Sequence, residues 1–266
     1  EKAFAKGYYE GMRIGEIWGY HIDGIFATDE EAASYEVDQR NVNDIINSSS
    51  GSLKGLHAGD LRFADLDGDN RISTGENTVD KPGDRRIIGN SEPRYQYGAN
   101  LAFQWCGFDF SIFFQGIGRM DWYPASEAEL FWGPFNRPYA TFLPKNFLEK
   151  CWSEDNPDAY FPRPRAYVAY DNLNNQCREL TAKNDRYLQN IGYCRLKNLT
   201  VGYTLPKNLT RKVGIDMLRV YFSGENLAYW SGIKTDYIDP EQARRGGDLK
   251  VYPWQKTFTF GINVNF

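Results

Sequence analysis

The chain has 266 residues, of which 41% are hydrophobic and 16% aromatic, and its formal net charge is −4. This length suffices for one large or two modest domains. Acidic and basic residues are interspersed, which argues against a nucleic-acid-binding surface, so we expect no nucleic-acid partner. No run approaches 18 apolar residues, which excludes a membrane-spanning helix. The many aromatic residues and the 25 glycines favour an all-β fold rich in turns.

The chain does not begin with Met and has no signal-peptide pattern, so we expect a piece of a longer protein. It contains four cysteines, none of them in a Cys-x-x-Cys pair. Cys106 and Cys194 fall within strand patterns, which predicts thiols that are buried or face lipid. Cys151 and Cys177 bracket a polar loop and could either form a disulfide in an oxidising compartment or stay free.

The first segment with a clear pattern is an aromatic, strand-like run at residues 15–26, interrupted by glycines. After it, Thr28 followed three positions later by Glu31 predicts a short N-capped helix. Residues 36–60 are rich in Asn and Ser and have no periodicity, which predicts a surface loop.

Residues 65–76 have the spacing of an EF-hand calcium loop, in which oxygens from alternate positions converge on one cation. Asn70 stands where Gly is usual, and Asn tolerates the left-handed conformation better than most residues. Because no helices flank the loop, we expect an isolated structural calcium site; the alternative is a solvated acidic turn. The predicted ligands are Asp65, Asp67, Asp69, Arg71 through its carbonyl, Ser73 and Glu76.

Regular alternation of apolar and polar residues begins at Arg94. Two such runs, 95–105 and 108–115, are separated by Cys106 and Gly107, and they predict a long β-hairpin with a short turn.

Residues 119–186 then form a connection of a length that usually signals function. Residues 140–152 within it predict a short helix. Its aromatic residues are candidates for stacking on sugars or peptides, although packing within the loop is the simpler explanation for any one of them. These candidates are Trp122, Tyr123, Trp132, Phe135 and Tyr139.

Strand patterns resume at 187–203 and 218–230, and a polar connection at 231–253 precedes the last strand. In that strand, apolar and polar residues alternate for about five repeats, so its side chains form one apolar and one polar wall. About 9–11 tilted residues are what a bilayer requires of a transmembrane β-strand. The residues predicted to face the membrane are Phe258, Phe260, Ile262, Val264 and Phe266.

Connection lengths also alternate along the chain. The turns near 106 and at 205–216 are short, whereas the connections at 119–186 and 231–253 are long. Short turns at one end and long loops at the other are the organisation of an outer-membrane β-barrel. We therefore predict an all-β fold: the C-terminal antiparallel strands of a transmembrane β-barrel with long extracellular loops, incomplete in this chain. Residues 1–90 are predicted to form an extracellular loop region and residues 91–266 the barrel strands.

Several short motifs together resemble the C-terminal part of a SusC/RagA-type TonB-dependent outer-membrane transporter of the Bacteroidota. Each motif is weak alone, but they occur in the order of the family and extend over nearly the whole chain. Asn70 departs from the more usual Gly. The segments that carry the resemblance are residues 15–26, 59–65, 86–90, 93–98, 107–110, 114–116, 195–199, 202–206, 218–221, 224–227, 239–241 and 252–253.

The resemblance implies a location in the outer membrane of a Gram-negative bacterium. It implies import of nutrients too large for passive porins, typically oligosaccharides and sometimes peptides, beneath a SusD-like surface lipoprotein. It also implies coupling to TonB through N-terminal regions that this chain lacks, so the chain alone should neither close a barrel nor couple to energy.

Two other functions compete with transport. The first is a soluble, calcium-stapled β-domain that binds glycans through exposed aromatic residues. The second is an enzyme, with Asp239 and Glu241 as a carboxylate pair able to cleave glycosides. The chain has only two histidines and no nucleophile motif beside them, and a turn around Pro240 explains the two acids more simply, so we expect no catalysis.

Overall fold

The computed structural model describes residues 7–43, 55–136, 143–164, 179–244, 252 and 254–266. The chain forms two compact units. The first comprises Glu1–Glu92, Asp121–Gln189 and Ala243–Val251, and the second comprises Pro93–Met120, Asn190–Gln242 and Tyr252–Phe266.

The first unit contains short elements joined by long connections. Two antiparallel pairs are built from its strands: β1 (Glu16–Gly19) with β4 (Arg86–Asn90), and β2 (Ile22–Ile25) with β3 (Leu61–Phe63). Two 3₁₀ turns lie at Gly133–Phe135 and Leu148–Lys150. Its other elements are α1 (Asp29–Ser34), β7 (Asp121–Trp122) and α2 (Glu129–Trp132).

The predicted short helix after the first strand run is confirmed as α1. Thr28 is its N-cap in an extended conformation, and its Oγ1 accepts a hydrogen bond from the Glu31 N–H at 3.2 Å. The Glu31 carboxylate in turn accepts from the Ala27 N–H at 2.8 Å. These reciprocal bonds satisfy amides that a helix start leaves unpaired.

An aromatic core fills the part of the first unit that comes from residues 121–189. Trp132 and Tyr187 are fully buried, and their ring centroids lie 5.5 Å apart at a steep angle. Phe161 stacks on Tyr187 at 5.7 Å and on Phe147 at 5.4 Å. Burial of rings this large stabilises the connection, whose described residues contain only short helical and strand elements.

The described part of 140–152 differs from the predicted helix. Its only helical element is the 3₁₀ turn at Leu148–Lys150. Pro144 lacks an N–H and disfavours a helical conformation at the residue before it, which explains the short turn.

The second unit is organised around one antiparallel sheet of five strands in the order β11-β10-β9-β6-β5. The predicted hairpin is confirmed: β5 and β6 pair along their length and meet at Cys106 and Gly107, whose φ values are +50° and +85°. The two-residue β8 (Gln189–Asn190) precedes the next long strand. The strands of the sheet are β5 (Arg94–Trp105), β6 (Phe108–Arg119), β9 (Tyr193–Thr204), β10 (Met217–Ser231) and β11 (Thr257–Asn265).

The register of this sheet separates apolar from polar side chains. Phe110 stands opposite Val201, which stands opposite Phe222, and Phe222 stands opposite Phe260. One residue along, the row is Ser111, Thr200, Ser223 and Thr259. Since successive side chains of a strand point to opposite faces, these rows define an apolar face and a polar face.

The connections of the sheet are sorted by length, as predicted. β5 joins β6 through two residues, and β9 joins β10 through 205–216, which contains α3 (Lys207–Thr210) and a 3₁₀ turn at Arg211–Val213. The connections 120–192 and 232–256 leave the opposite ends of these strands. None of the helices in the described segments is long and apolar enough to cross a membrane.

Candidate metal centre, aromatic residues and polar sheet face

The acidic loop is held in shape by its own backbone. The two carboxylate oxygens of Asp65 accept from the N–H groups of Gly68 and Asn70 at 2.7 and 2.8 Å. Asn70 has φ +60°, the left-handed conformation that Asn tolerates. Ile72 is fully buried, and its N–H donates a hydrogen bond to the Asp38 carbonyl at 2.9 Å. The loop is therefore closed and anchored.

Three carboxylates converge at this loop, and one of them was not predicted. One oxygen each from Asp65, Asp67 and Asp84 lies within 4.8 Å of the others, close enough to share a cation. Asp84 is fully buried, and its oxygens accept from the Leu66 and Ser73 N–H groups, both at 2.7 Å. The sequence pattern missed Asp84 because it lies outside the twelve-residue loop.

Two glycines bring Asp84 to the loop. Gly75 and Gly83 have φ values of +55° and +62°, and a Cβ added to Gly75 would lie 2.5 Å from the Gly83 nitrogen. Side chains at these positions would separate the two backbones. The Asp84 carboxylate then could not reach the amides of the acidic loop.

The other predicted calcium ligands make contacts of their own. Glu76 pairs with the ammonium of Lys81 at 2.5 Å, both groups being more than half exposed. Asp69 Oδ1 accepts from the Arg71 N–H at 2.8 Å, and Ser73 Oγ accepts from the Gly75 N–H at 3.0 Å. The carboxylate cluster of this structure thus contains Asp65 and Asp67 but neither Asp69 nor Glu76.

The pKa values of half-buried Asp65 and exposed Asp67 are shifted in opposite directions. Burial acts to raise the pKa of Asp65, but hydrogen bonds from backbone N–H groups outweigh it and lower the pKa below its usual value. For Asp67, burial and the nearby carboxylates of Asp84 and Asp69 raise the pKa. Repulsion of this kind is what a bound cation would relieve.

The aromatic residues predicted to contact ligand lie mostly inside the protein. Trp132 and Phe135 have exposed fractions of 0% and 1%, and Trp132 Nε1 donates to the Ala125 carbonyl at 2.8 Å. These two residues therefore belong to the aromatic core and do not form a stacking surface. Trp122 and Tyr123 are half-buried, and the Tyr123 hydroxyl donates to the Leu180 carbonyl. Tyr139 lies outside the described residues.

The described cysteines differ in exposure. Cys151 is buried, which raises the pKa of its thiol to about 12, and its predicted partner Cys177 lies outside the described residues. The bridge between them remains a prediction. Cys106 is exposed in the hairpin turn and Cys194 is partly exposed in β9.

The terminal strand presents its large apolar side chains to the exterior of the sheet. Phe258, Phe260 and Ile262 are 60%, 80% and 66% exposed, whereas side chains of these types are mostly buried in a water-soluble protein. Val264 and Phe266 are exposed as well. The same apolar face includes Phe103 on β5, so the exposed surface crosses the whole sheet.

The polar face carries ion pairs instead. Arg195 on β9 donates from Nη2 to both carboxylate oxygens of Asp239 at 2.6 and 2.5 Å. Lys197 donates to both oxygens of Glu241 at 2.9 and 2.8 Å. The two acids considered for glycoside cleavage are thus each neutralised by a cation, in the geometry of a structural ion pair.

A second pair on the polar face lies near the short-turn end. Arg219 on β10 donates from Nε and Nη2 to the two oxygens of Asp109 on β6, at 2.8 and 2.5 Å. Its guanidinium lies 4.9 Å from the centroid of the Tyr221 ring. This pair spans β9, where Gly202 leaves room for it: a Cβ there would lie 2.5 Å from Asp109 Oδ1.

An antiparallel sheet with an exposed apolar face, a polar face rich in ion pairs and connections sorted by length defines the wall of an outer-membrane β-barrel. No family model matches the chain. It is 30% identical over 271 residues to TonB-dependent receptor P3 of Formosa agariphila, a match that includes 97% of this chain and 22% of the relative. TonB-dependent receptor P39 of the same organism is 26% identical over the whole chain and 26% of its own length.

Solved structures show the same fold. A structure of the RagAB peptide transporter aligns with 96% of this chain and 23% of its own, at 19% identity and a TM-score of 0.58. The RagAB peptide importer in its closed-closed state aligns with 94% of this chain and 23% of its own, at 21% identity and a TM-score of 0.54.

The chain is homologous to TonB-dependent receptors, and its predicted resemblance to the C-terminal part of a SusC/RagA-type transporter is confirmed. The predicted location in the outer membrane of a Gram-negative bacterium is confirmed by the same relatives. The chain spans about a quarter or less of the length of these relatives.

Proposed function

We propose that this chain forms part of the wall and the outer loops of a TonB-dependent outer-membrane importer of nutrients. The observation that carries the proposal is the five-stranded sheet whose apolar face is exposed across all strands. A water-soluble domain would have to cover that face, whereas lipid covers it in an outer-membrane barrel. A soluble glycan-binding domain accounts less well for this surface.

The cargo class is an oligosaccharide or a peptide. The family resemblance favours oligosaccharides, while the solved structures of similar fold come from a peptide transporter. The partners that this function requires are TonB, engaged by parts of the protein outside this chain, and a SusD-like surface lipoprotein over the outer mouth. We expect the chain to have no catalytic activity.

Deletion of the full-length gene tests this function. Radiolabelled oligosaccharide mixtures and peptide mixtures are offered to the deletion strain, the parent strain and a complemented strain. Selective loss of uptake of one mixture, restored by complementation, identifies the cargo class. Unchanged uptake of both mixtures, or recovery of the protein in the soluble fraction, would overturn the proposal and favour the soluble glycan-binding domain.

We also propose that the acidic loop binds calcium in a structural role. Support comes from the convergence of Asp65, Asp67 and Asp84 and from the anchoring of the loop by Ile72. Replacing Asp67 and Asp69 together by Ala in the full-length protein should abolish the rise in melting temperature that calcium produces. An exposed acid elsewhere in the first unit, changed by Asp158→Ala, is the matched control. A calcium response that persists in the double variant would sink the assignment.

A further inference from the structure

The connection after β10 is fastened to the polar face of the sheet. Asp239 and Glu241 in this connection meet Arg195 and Lys197, which project from β9 two residues apart. The side chain of Arg195 is 2% exposed and that of Asp239 is 10% exposed. Ion pairs removed from water to this degree are screened less by salt than exposed pairs, and removal of one partner leaves an uncompensated buried charge.

The contacts between these four groups are shared. Arg195 Nε lies 3.1 Å from Glu241 Oε2, an ion-pair contact without hydrogen-bond geometry, and Lys197 donates to the same oxygen. Asp239 Oδ1 also accepts from the Glu241 N–H at 2.9 Å, which fixes the turn between the two acids. Two cations and two acids thus form one neutral cluster, here called the loop clamp and consisting of Arg195, Lys197, Asp239 and Glu241.

Aromatic rings cover the cations of the loop clamp. The Arg195 guanidinium lies 4.9 Å from the centroid of Tyr229 and 6.0 Å from that of Tyr193. Lys197 Nζ lies 5.0 Å from the centroid of the Trp254 ring. These rings attract the cations and exclude water from them. Ile238 and Gln242, on either side of the two acids, are buried as well.

The loop clamp lies on the polar face of the sheet, which determines whether it faces the interior of a barrel or the lipid. Arg195 stands opposite Gln115 and Tyr229 in the register, while its neighbour Leu196 belongs to the row of Phe114 on the apolar face. In a closed barrel, the polar face lines the interior. The connection is therefore folded inward over the interior wall.

We propose that residues 232–242 are a fixed inner loop of the barrel, held by the loop clamp, rather than a lid that opens and closes. Arg195 and Lys197 act as positioning residues, and the inner loop narrows the interior beside β9 and β10 at the end that bears the long connections. Its effect on passage of cargo rests on the proposed import function, whereas its fixed position does not.

Spin-label distances in the full-length protein, reconstituted in lipid nanodiscs, test the inner loop without any cargo. One label is attached to the exposed native Cys106, and the other to a cysteine introduced by Asp236→Cys at the exposed part of the loop, with Cys177 and Cys194 changed to Ser. We expect one narrow distance distribution. In Asp239→Asn the width should at least double, and Asp239→Glu should restore the narrow distribution.

The matched control is Asp216→Asn, which removes the acid of an exposed pair with Lys207 and should leave the width unchanged. If Asp239→Asn does not assemble in the outer membrane, Glu241→Gln replaces it, because the Lys197–Glu241 pair is more exposed. A broad distribution in the parent protein overturns the fixed loop. A distribution that stays narrow in the clamp variant that assembles overturns the role of the ion pairs. Loss of uptake with an unchanged distribution would concern the import function alone.

Discussion

The two units of this chain place the same kinds of residue in opposite environments. In the first unit the large aromatic side chains, such as Trp132 and Tyr187, are fully buried. In the second unit Phe260 and Trp105 are 80% and 72% exposed, and the buried side chains include the cation of Arg195. The first unit has the core of a water-soluble domain, and the second has a wall adapted to lipid on one face. Hydrophobicity alone therefore does not predict burial in this family of folds; the register of the strand does.

The strongest test of this contrast removes one aromatic side chain from each unit. Trp132→Ala should destabilise the first unit by about 3–5 kcal/mol, because it leaves a large cavity in the aromatic core. Trp105→Ala in the sheet should cost far less in detergent micelles, since no protein cavity results. Resistance of the long connection to protease, measured against urea concentration, reports the first effect. Equal losses in the two variants would contradict the contrast.

The next test asks which face of the terminal strand meets lipid. Phe260→Arg should lower the stability of the assembled full-length barrel by about 2–4 kcal/mol if it lies near the bilayer midplane. Thr259→Arg adds the same charge on the polar face and is the matched control. The measurement is the fraction of heat-modifiable, folded protein in the outer membrane. Normal assembly of Phe260→Arg would argue against a lipid-facing strand.

A third test compares Asp84, a calcium ligand suggested by the structure, with Glu76, a calcium ligand predicted from the sequence. If calcium lies among Asp65, Asp67 and Asp84, then Asp84→Asn should remove most of the calcium stabilisation, and Glu76→Gln should leave it. At free calcium about 100-fold above Kd, that stabilisation is about 2.7 kcal/mol. The melting temperature of each variant is measured with calcium and with chelator. The difference between the two values excludes any destabilisation that the substitution causes without calcium. The reverse result would restore Glu76 as the ligand of the EF-hand pattern.

The smallest expected effect is a pH dependence confined to the first unit. The Asp185 carboxylate accepts a hydrogen bond from His21 and raises the pKa of His21, although burial opposes the shift. The stabilisation of the folded state by the His21–Asp185 contact is therefore complete below about pH 6.5, the pKa of His21 in the unfolded chain. It is lost as the pH rises through the higher pKa of His21 in the folded protein. His21→Gln should accelerate hydrogen exchange at the Ile22 amide, which donates to Asp185, at pH 6 but not at pH 9. An effect of equal size at both pH values would contradict this linkage.

Local signals in the sequence predicted much of the fold. Thr28 and Glu31 predicted the capped helix, and Cys106 with Gly107 predicted the hairpin turn. The alternation at Phe258 and Phe260 predicted an exposed apolar face. Each of these features depends on residues that are neighbours in the chain or that repeat with the period of a strand.

Long-range contacts escaped the sequence analysis. Asp84 reaches the acidic loop only because Gly75 and Gly83 let two backbones meet. Asp239 pairs with Arg195 although β10 separates them in the sequence. The residue pattern of neither segment predicts this contact. The position of Trp132 depends on the packing of a long connection, for which periodicity gives no signal.

Among the residues that the structure describes, no strand pairs with the outer edges of β5 and β11, the two end strands of the sheet. An edge of this length offers a row of backbone donors and acceptors to any extended chain nearby. Translated by itself, this stretch would expose both edges together with its apolar face, which is a combination that promotes stacking of copies into insoluble aggregates. In a closed barrel each of these edges would pair with another strand, so the solubility of this sheet depends on what covers its edges.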